Sequence, residues 1–277
     1  MNTLKAELNA AYGFVERQFY LCKRFWKWEL VFVIYTLVNA ISIGYIVPGM
    51  VMMQGKSTSS INVDYMVLYL LTGSIIWGFL SVIFDEVSNT ITWERWEGTI
   101  EYTFMAPIER FTHLFGMCIF SLIYGFIRTI LVLGIVSAFF DLNLDNANFI
   151  GAALIMSVAS LSFIGLGILV AILPLLSPEK GEQMALIIQA LVLMVSGIYY
   201  PVTILPEWMQ FASKFSPATY ALEGMRMALL EGATISKLMP KIIPLIVIAI
   251  FLIPIGLKVF SIGEVYAKKT GLLKRSG

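Results

Sequence analysis

The sequence predicts an all-α integral membrane protein of about six spans, and three observations predict it. Hydrophobic residues make up 58% of the 277 residues, charged residues only 13%, and mean hydropathy is +0.83. A soluble domain keeps roughly a quarter of its residues charged, so a chain this poor in charge matches lipid as its solvent. Apolar runs recur at about 30–50, 65–84, 114–139, 149–174, 184–204 and 242–260. Each is close to the roughly 20 residues that cross about 30 Å of hydrocarbon as a helix. The runs do not alternate polar with apolar, as lipid-facing β-strands must.

The chain opens with a separate element over residues 1–28. Leu4, Leu8, Tyr12, Val15, Phe19, Cys22 and Trp26 recur every three or four residues and share one helical face. A helix of that kind, ending in the basic and aromatic run Lys23–Trp28, suits the headgroup plane of a bilayer. The alternative is a helix packed on the protein's own surface. The long polar lead before the first apolar run is not that of a cleavable signal peptide.

Orientation follows from the placement of lysine and arginine. Lys5, Arg17, Lys23, Arg24 and Lys27 precede the first span; Lys258, Lys268, Lys269, Lys274 and Arg275 edge or follow the last. The loop after span one carries only Lys56, and residues 141–148 carry no cation. Both termini are therefore expected in the cytoplasm, which requires an even number of spans. Lys214, Arg226, Lys237 and Lys241 dissent on the outer side.

The longest cytoplasmic stretch, residues 85–113, is acidic: Asp85, Glu86, Glu94, Glu97, Glu101 and Glu109 against Arg95 and Arg110. Gly98 can break a helix and reverse the chain. Thr99–Met105 then forms a short helix stopped by Pro107. A helix held below the membrane by two long spans is a lever for a partner. Further on, Pro201 and Pro206 end a helix and Pro217, after Ser216, starts one. The apolar but interrupted segment from Leu205 to Leu230 reads as two short helices dipping into the outer leaflet.

Two stretches carry a family likeness. Glu94-Arg95-Trp96-Glu97-Gly98-Thr99-Ile100-Glu101, with Ala106-Pro107 and Gly116, resembles the E-R-x-x-G-T-x-E…P…G stretch of ABC-2 type export permeases. So does Ser196-Gly197-Ile198-Tyr199-Tyr200-Pro201-Val202, followed by Leu205-Pro206-Glu207-Trp208, Ser216-Pro217-Ala218-Thr219-Tyr220, Glu223, Gly224 and Arg226. The resemblance implies that residues 29–277 form one transmembrane domain of that family. It implies a coupling helix between spans two and three that enters a cleft of a separate ATPase subunit, with Glu94, Arg95, Gly98, Thr99, Ile100, Glu101 and Pro107 as the coupling residues. It also implies two permease chains, plausibly a homodimer, with the translocation path between them. No GxxxxGK[ST] phosphate loop occurs, so ATP and magnesium are expected on the partner and no cofactor in this chain.

Within the spans, Arg128 is costly at mid-membrane and must face protein, water or an anionic group on the cargo. Tyr35 and Asn39 on span one, and Trp77 on span two, sit on polar or small stripes that line a pathway or mediate helix packing. Ala153, Ser157, Ser160, Gly165 and Gly167 suit close helix approach in span four. Tyr199 and Tyr200 stand where an exit narrows, though interfacial tyrosines are common.

A single histidine and two separated cysteines give no metal cluster, disulfide framework or repeated catalytic triad. A formal charge of +1 gives no reason to expect nucleic acid. Two competitors stand beside the pump. An ion-coupled carrier working alone would place acids near mid-membrane and show internal repeats, neither of which is evident. A lipid-modifying enzyme would cluster nucleophiles and bases at one depth. The expected cargo is amphipathic or lipid-like.

Overall fold

A computed structural model describes residues 2–54, 63–140 and 146–273, and among these the chain is helical with no strand. Lys56, Lys274, Arg275 and most of the loop at 141–148 lie outside the described residues, as does the side chain of Leu4. Helix α1 is Asn2–Arg24; the chain breaks at Phe25 and continues as α2 (Trp26–Gly44) and α3 (Ile46–Gln54). Then come α4 (Val63–Ser88), the short α5 (Thr90–Glu97) and α6 (Ile100–Met105), and the long α7 (Arg110–Phe140). Helices α8 (Phe149–Val170) and α9 (Ile172–Leu176), α10 (Gly181–Val195), α11 (Glu207–Ser213), α12 (Pro217–Leu229) and α13 (Ile235–Thr270) complete the chain.

Five helical stretches are long and apolar enough to cross a membrane: Trp26–Met53, Tyr65–Ser88, Arg110–Phe140, Phe149–Leu176 and Ile235–Thr270. The chain is thus a multi-pass membrane protein. The run expected at 184–204 is α-helical only as far as Val195, with a single 3-10 turn at Val202–Ile204. Its helix of 15 residues reaches about 22 Å at 1.5 Å per residue. It ends ahead of the two prolines because Gly197 turns to a φ of 69°, which L side chains rarely adopt. The last helix, expected over 242–260, is longer at both ends and carries Pro240, Pro244 and Pro254 inside it.

The core is one cluster running from Ile76 and Phe84 of α4 through Leu114 of α7 and Phe163 of α8 to Leu222 of α12 and Phe260 of α13. Helix α8 sits centrally, packed by α4, α12 and α13. Glycines set how closely it is approached. A Cβ on Gly256 would stand 3.0 Å from the Gly165 carbonyl oxygen, and one on Gly165 would stand 2.8 Å from Leu252 Cβ and 3.0 Å from the Ile253 amide nitrogen. Gly167 does the same towards α4, at 2.9 Å from Val87 Cβ. Ser160 is buried, whereas Ala153 and Ser157 face outward. Without a hydrophobic force between helices in lipid, such close backbone contact supplies the packing energy.

The first and last described helices meet at one end of the bundle. Arg17 of α1 and Glu264 of α13 both bond to the region between α4 and α7. The opposite end holds α11, α12 and the start of α8, where the Asn148 side chain accepts from the Gly151 amide and donates to the Ala233 carbonyl.

Substituting Gly165→Ala will destabilise the fold by about 1–3 kcal/mol, because the methyl group meets backbone that cannot give way. Gly134→Ala, where nothing lies within 4 Å, will be neutral or stabilising by up to about 1 kcal/mol. Unfolding curves of the two variants in detergent measure the difference.

Candidate functional site

Between α4 and α7 the chain makes an elbow that lies outside the apolar helices. Asn89 interrupts the helix after Ser88, and α5 then runs to a reversal at Gly98, whose φ is 72°. The Thr99 amide donates back to the Glu94 carbonyl at 2.8 Å, closing the turn, and α6 follows until Ala106 becomes extended before Pro107. Ile100 and Phe104 sink into the core, so α6 is anchored by one face.

Its other face is free. Trp93, Trp96, Glu97, Glu101, Tyr102, Met105 and Pro107 are exposed, Tyr102 at 79% and Met105 at 85%. Aromatic, methionine and acidic side chains on a braced element form a contact surface, since large apolar groups in water gain from being covered.

Behind that rim lies a buried polar node. Glu94 is 1% exposed, and its Oε1 receives the Arg17 guanidinium at 3.0 Å and the Thr103 hydroxyl at 3.2 Å. The His113 Nε2 stands 3.0 Å from the same oxygen, in a residue with no exposure. Burial alone would raise the Glu94 carboxyl, but the His113 contact and charge and the Arg17 charge outweigh it and hold the group below its ordinary value. Arg95, also buried, donates to the Leu175 carbonyl of α9 at 3.0 Å. Arg110 donates to the Thr103 carbonyl at 2.8 Å and to Glu264 of α13 at 2.9 Å, and Lys268 joins Glu264 at 2.7 Å.

Helix α1 completes the node. It lies against α7, where a Cβ on Gly116 would meet the Ala11 carbonyl oxygen and Phe14 Cβ at 2.8 Å. Glu7 accepts from Thr112 and Phe14 packs on His113. Of the apolar face expected of this helix, Val15 is buried beside Ala11 and Cys22 is half-buried, whereas Leu8, Tyr12, Phe19 and Trp26 are exposed. Leu8, Tyr12 and Phe19, with Phe115, Ile119 and Ile123, border an open cleft of about 740 Å³.

The sequence-derived coupling set thus splits. Glu101 and Pro107 are at the surface, Gly98 and Thr99 shape the turn, and Glu94, Arg95 and Ile100 brace it from inside. The pathway set also splits. The Tyr199 side chain lies near Ser74 of α4 and Tyr35 of α2. Asn39 spends its amide on the Tyr35 carbonyl, and the Tyr200 hydroxyl donates to the Met194 carbonyl at 2.6 Å. Trp77 turns to α8 and meets Phe163 edge-on. Arg128 donates to the Phe32 carbonyl at 2.9 Å and the Thr36 hydroxyl at 2.7 Å, so its partners are in α2. Glu223 is bonded by Lys241 of α13. Arg17, His113 and Thr103 were not singled out for coupling, because 77, 19 and 9 residues separate them from Glu94.

Comparison with known proteins agrees with this architecture. A model of the ABC-2 type transporter family matches residues 12–230, from α1 through α12. The chain is also similar to the linearmycin resistance permease protein LnrN of Bacillus subtilis (strain 168), at 23% identity over 161 residues. That match covers 58% of this chain and 41% of the relative, so the chain spans well under half of that protein's length. With most of its helices inside the family match, the chain belongs to the ABC-2 type transporter family, whose members are membrane components of ABC transporters.

Proposed function

We propose that this chain is the permease subunit of an ATP-driven exporter, coupled to a separate ATPase through the α5–α6 elbow. The single observation that carries the reading is the exposed rim of α6, held on a node that ties it to α1, α7, α9 and α13. A push on Tyr102 and Met105 would reach these four helices through hydrogen bonds and ion pairs. Such a link transmits displacement without local melting.

Six crossings complete the reading, with α10 as the short fifth. The meeting of the first and last helices at the elbow end supports an even number, and the basic residues at that end support placing it in the cytoplasm. Helices α11 and α12 then form the re-entrant hairpin at the outer leaflet. Helix α1 lies at the inner surface with Leu8, Tyr12 and Phe19 towards lipid. A second copy, as a homodimer, supplies the other wall of the pathway, with Tyr35, Asn39 and Tyr199 of α2 and the α10 turn facing it. ATP and magnesium belong to the partner. The cargo is amphipathic, and the name of the LnrN relative supports drug export.

The test is transport by vesicles holding this chain with its ATPase, against vesicles lacking ATP. Changing Tyr102→Ala together with Met105→Ala will leave unfolding unchanged, as both side chains are exposed. It will weaken capture of the ATPase by about tenfold or more, as loss of interface anchors does. Glu94→Ala will instead destabilise the chain by about 3 kcal/mol, since it leaves the buried His113 and the half-buried Arg17 without their carboxylate.

The node has a definite pH dependence. A carboxyl held below its ordinary 4.5 contributes stability that is fully present above that pH and is lost as pH falls through its lower folded value. The stability gap between the parent and Glu94→Gln is expected to be constant from pH 7 to about 5 and to close under stronger acid, as thermal unfolding in detergent will record.

A further inference from the structure

Arg226 is buried at the end of the bundle opposite the elbow, and no carboxylate ion-pairs with it among the described residues. Its guanidinium reaches from α12 across to the turn after α10. Nη1 donates to the Gly197 carbonyl at 3.1 Å and Nη2 to the Ile198 carbonyl at 2.6 Å. The same group lies 3.5 Å from the centre of the Tyr69 ring of α4. A Cβ on Gly73 would collide with the Ile198 carbonyl oxygen and stand 2.9 Å from Arg226 Nη2, so the turn rests directly on the α4 backbone. Tyr199 lies near Ser74 of α4, and the Ser196 and Ser216 hydroxyls meet at 2.6 Å.

We propose that Arg226 is the positioning residue of the exit: a latch that seats the Tyr199–Tyr200 turn on α4. The proposal rests on the reading of that turn as the outer mouth of the pathway. Its partners make the latch releasable. Two carbonyls and an aromatic face are neutral, and water replaces their bonds when α4 and the turn separate, so the net preference for the seated state is modest. A carboxylate partner would resist separation more strongly. The two carbonyls belong to the residues immediately before Tyr199, so freeing the guanidinium frees both tyrosines together.

The experiment uses the full chain in cells, with Cys22→Ser and Cys118→Ala as background and a membrane-impermeant methanethiosulfonate reagent added outside. Ile198→Cys places the probe thiol at a residue only 1% exposed, under the latch; Thr203→Cys places it on the exposed side of the same segment. With the latch intact, Thr203→Cys reacts readily and Ile198→Cys slowly. Adding Arg226→Met, which removes both carbonyl bonds, should speed the reaction at position 198 about tenfold or more; Tyr69→Leu, which removes the ring under the cation, should speed it about threefold to tenfold, and both should leave position 203 unchanged. Tyr69→Phe keeps the ring and should behave as the parent. Unchanged labelling at 198 in both Arg226→Met and Tyr69→Leu overturns the latch. If Arg226→Met abolishes labelling at 203 by failing to fold, the Tyr69→Leu and Tyr69→Phe pair decides. If Thr203→Cys cannot be reached from outside even with the latch intact, the exit reading fails and the latch with it.

Discussion

The elbow depends on one buried oxygen, Oε1 of Glu94. It collects a cation from α1, a hydroxyl from α6 and an imidazole from α7, so three segments far apart in sequence are fixed to one point. A carboxylate out of water is costly unless charge and hydrogen bonds replace its hydration, and here both do. Remove that oxygen and α6 keeps the apolar anchors Ile100 and Phe104 and the Arg110 bond to the Thr103 carbonyl. The neighbouring Arg95 extends the brace to α9 and Arg110 extends it to α13. The exposed rim can therefore act as a lever because what lies behind it does not yield.

Position along the chain explains what the sequence made legible. The spans are written in composition, since every residue of a lipid-facing helix adds to the same signal, and α4, α7 and α8 fall close to their expected limits. The elbow turn was legible because Gly98 and Pro107 act locally on the backbone. Helix ends were less so. Gly197 stops α10 before the prolines, while α13 absorbs Pro240, Pro244 and Pro254 because a helix in protein and lipid surroundings has other groups to satisfy its freed carbonyls. The buried node was not legible at all. Arg17 reads as one more positive charge near the first span, and nothing local joins it to a glutamate 77 residues away.

The same logic separates the roles of the motif residues. Gly116 lies 18 residues beyond the turn at Gly98, and it lets α1 approach α7 closely enough for Arg17 to reach Glu94. Glu94 and Arg95 lie inside the protein and Glu101 lies on its surface, though all three belong to one sequence stretch. A short motif can therefore record two different constraints, one on the contact face and one on the brace behind it.

The two ends of the bundle differ in how they hold their cations. At the elbow, Arg17, Arg110 and Lys268 are paired with Glu94 and Glu264. Towards the other end, the arginines Arg128 and Arg226 are bound by backbone carbonyls, a hydroxyl and an aromatic ring, and the ion pair there, Lys241 with Glu223, joins α12 to α13 and not to α4. Paired charges resist separation, because parting them leaves two ions poorly solvated; a cation on neutral acceptors exchanges them for water with little net change. In the proposed permease, the contact that would open at the far end is therefore the one between α4 and the turn after α10, while the ion pairs at the elbow and the Lys241–Glu223 pair between α12 and α13 would hold.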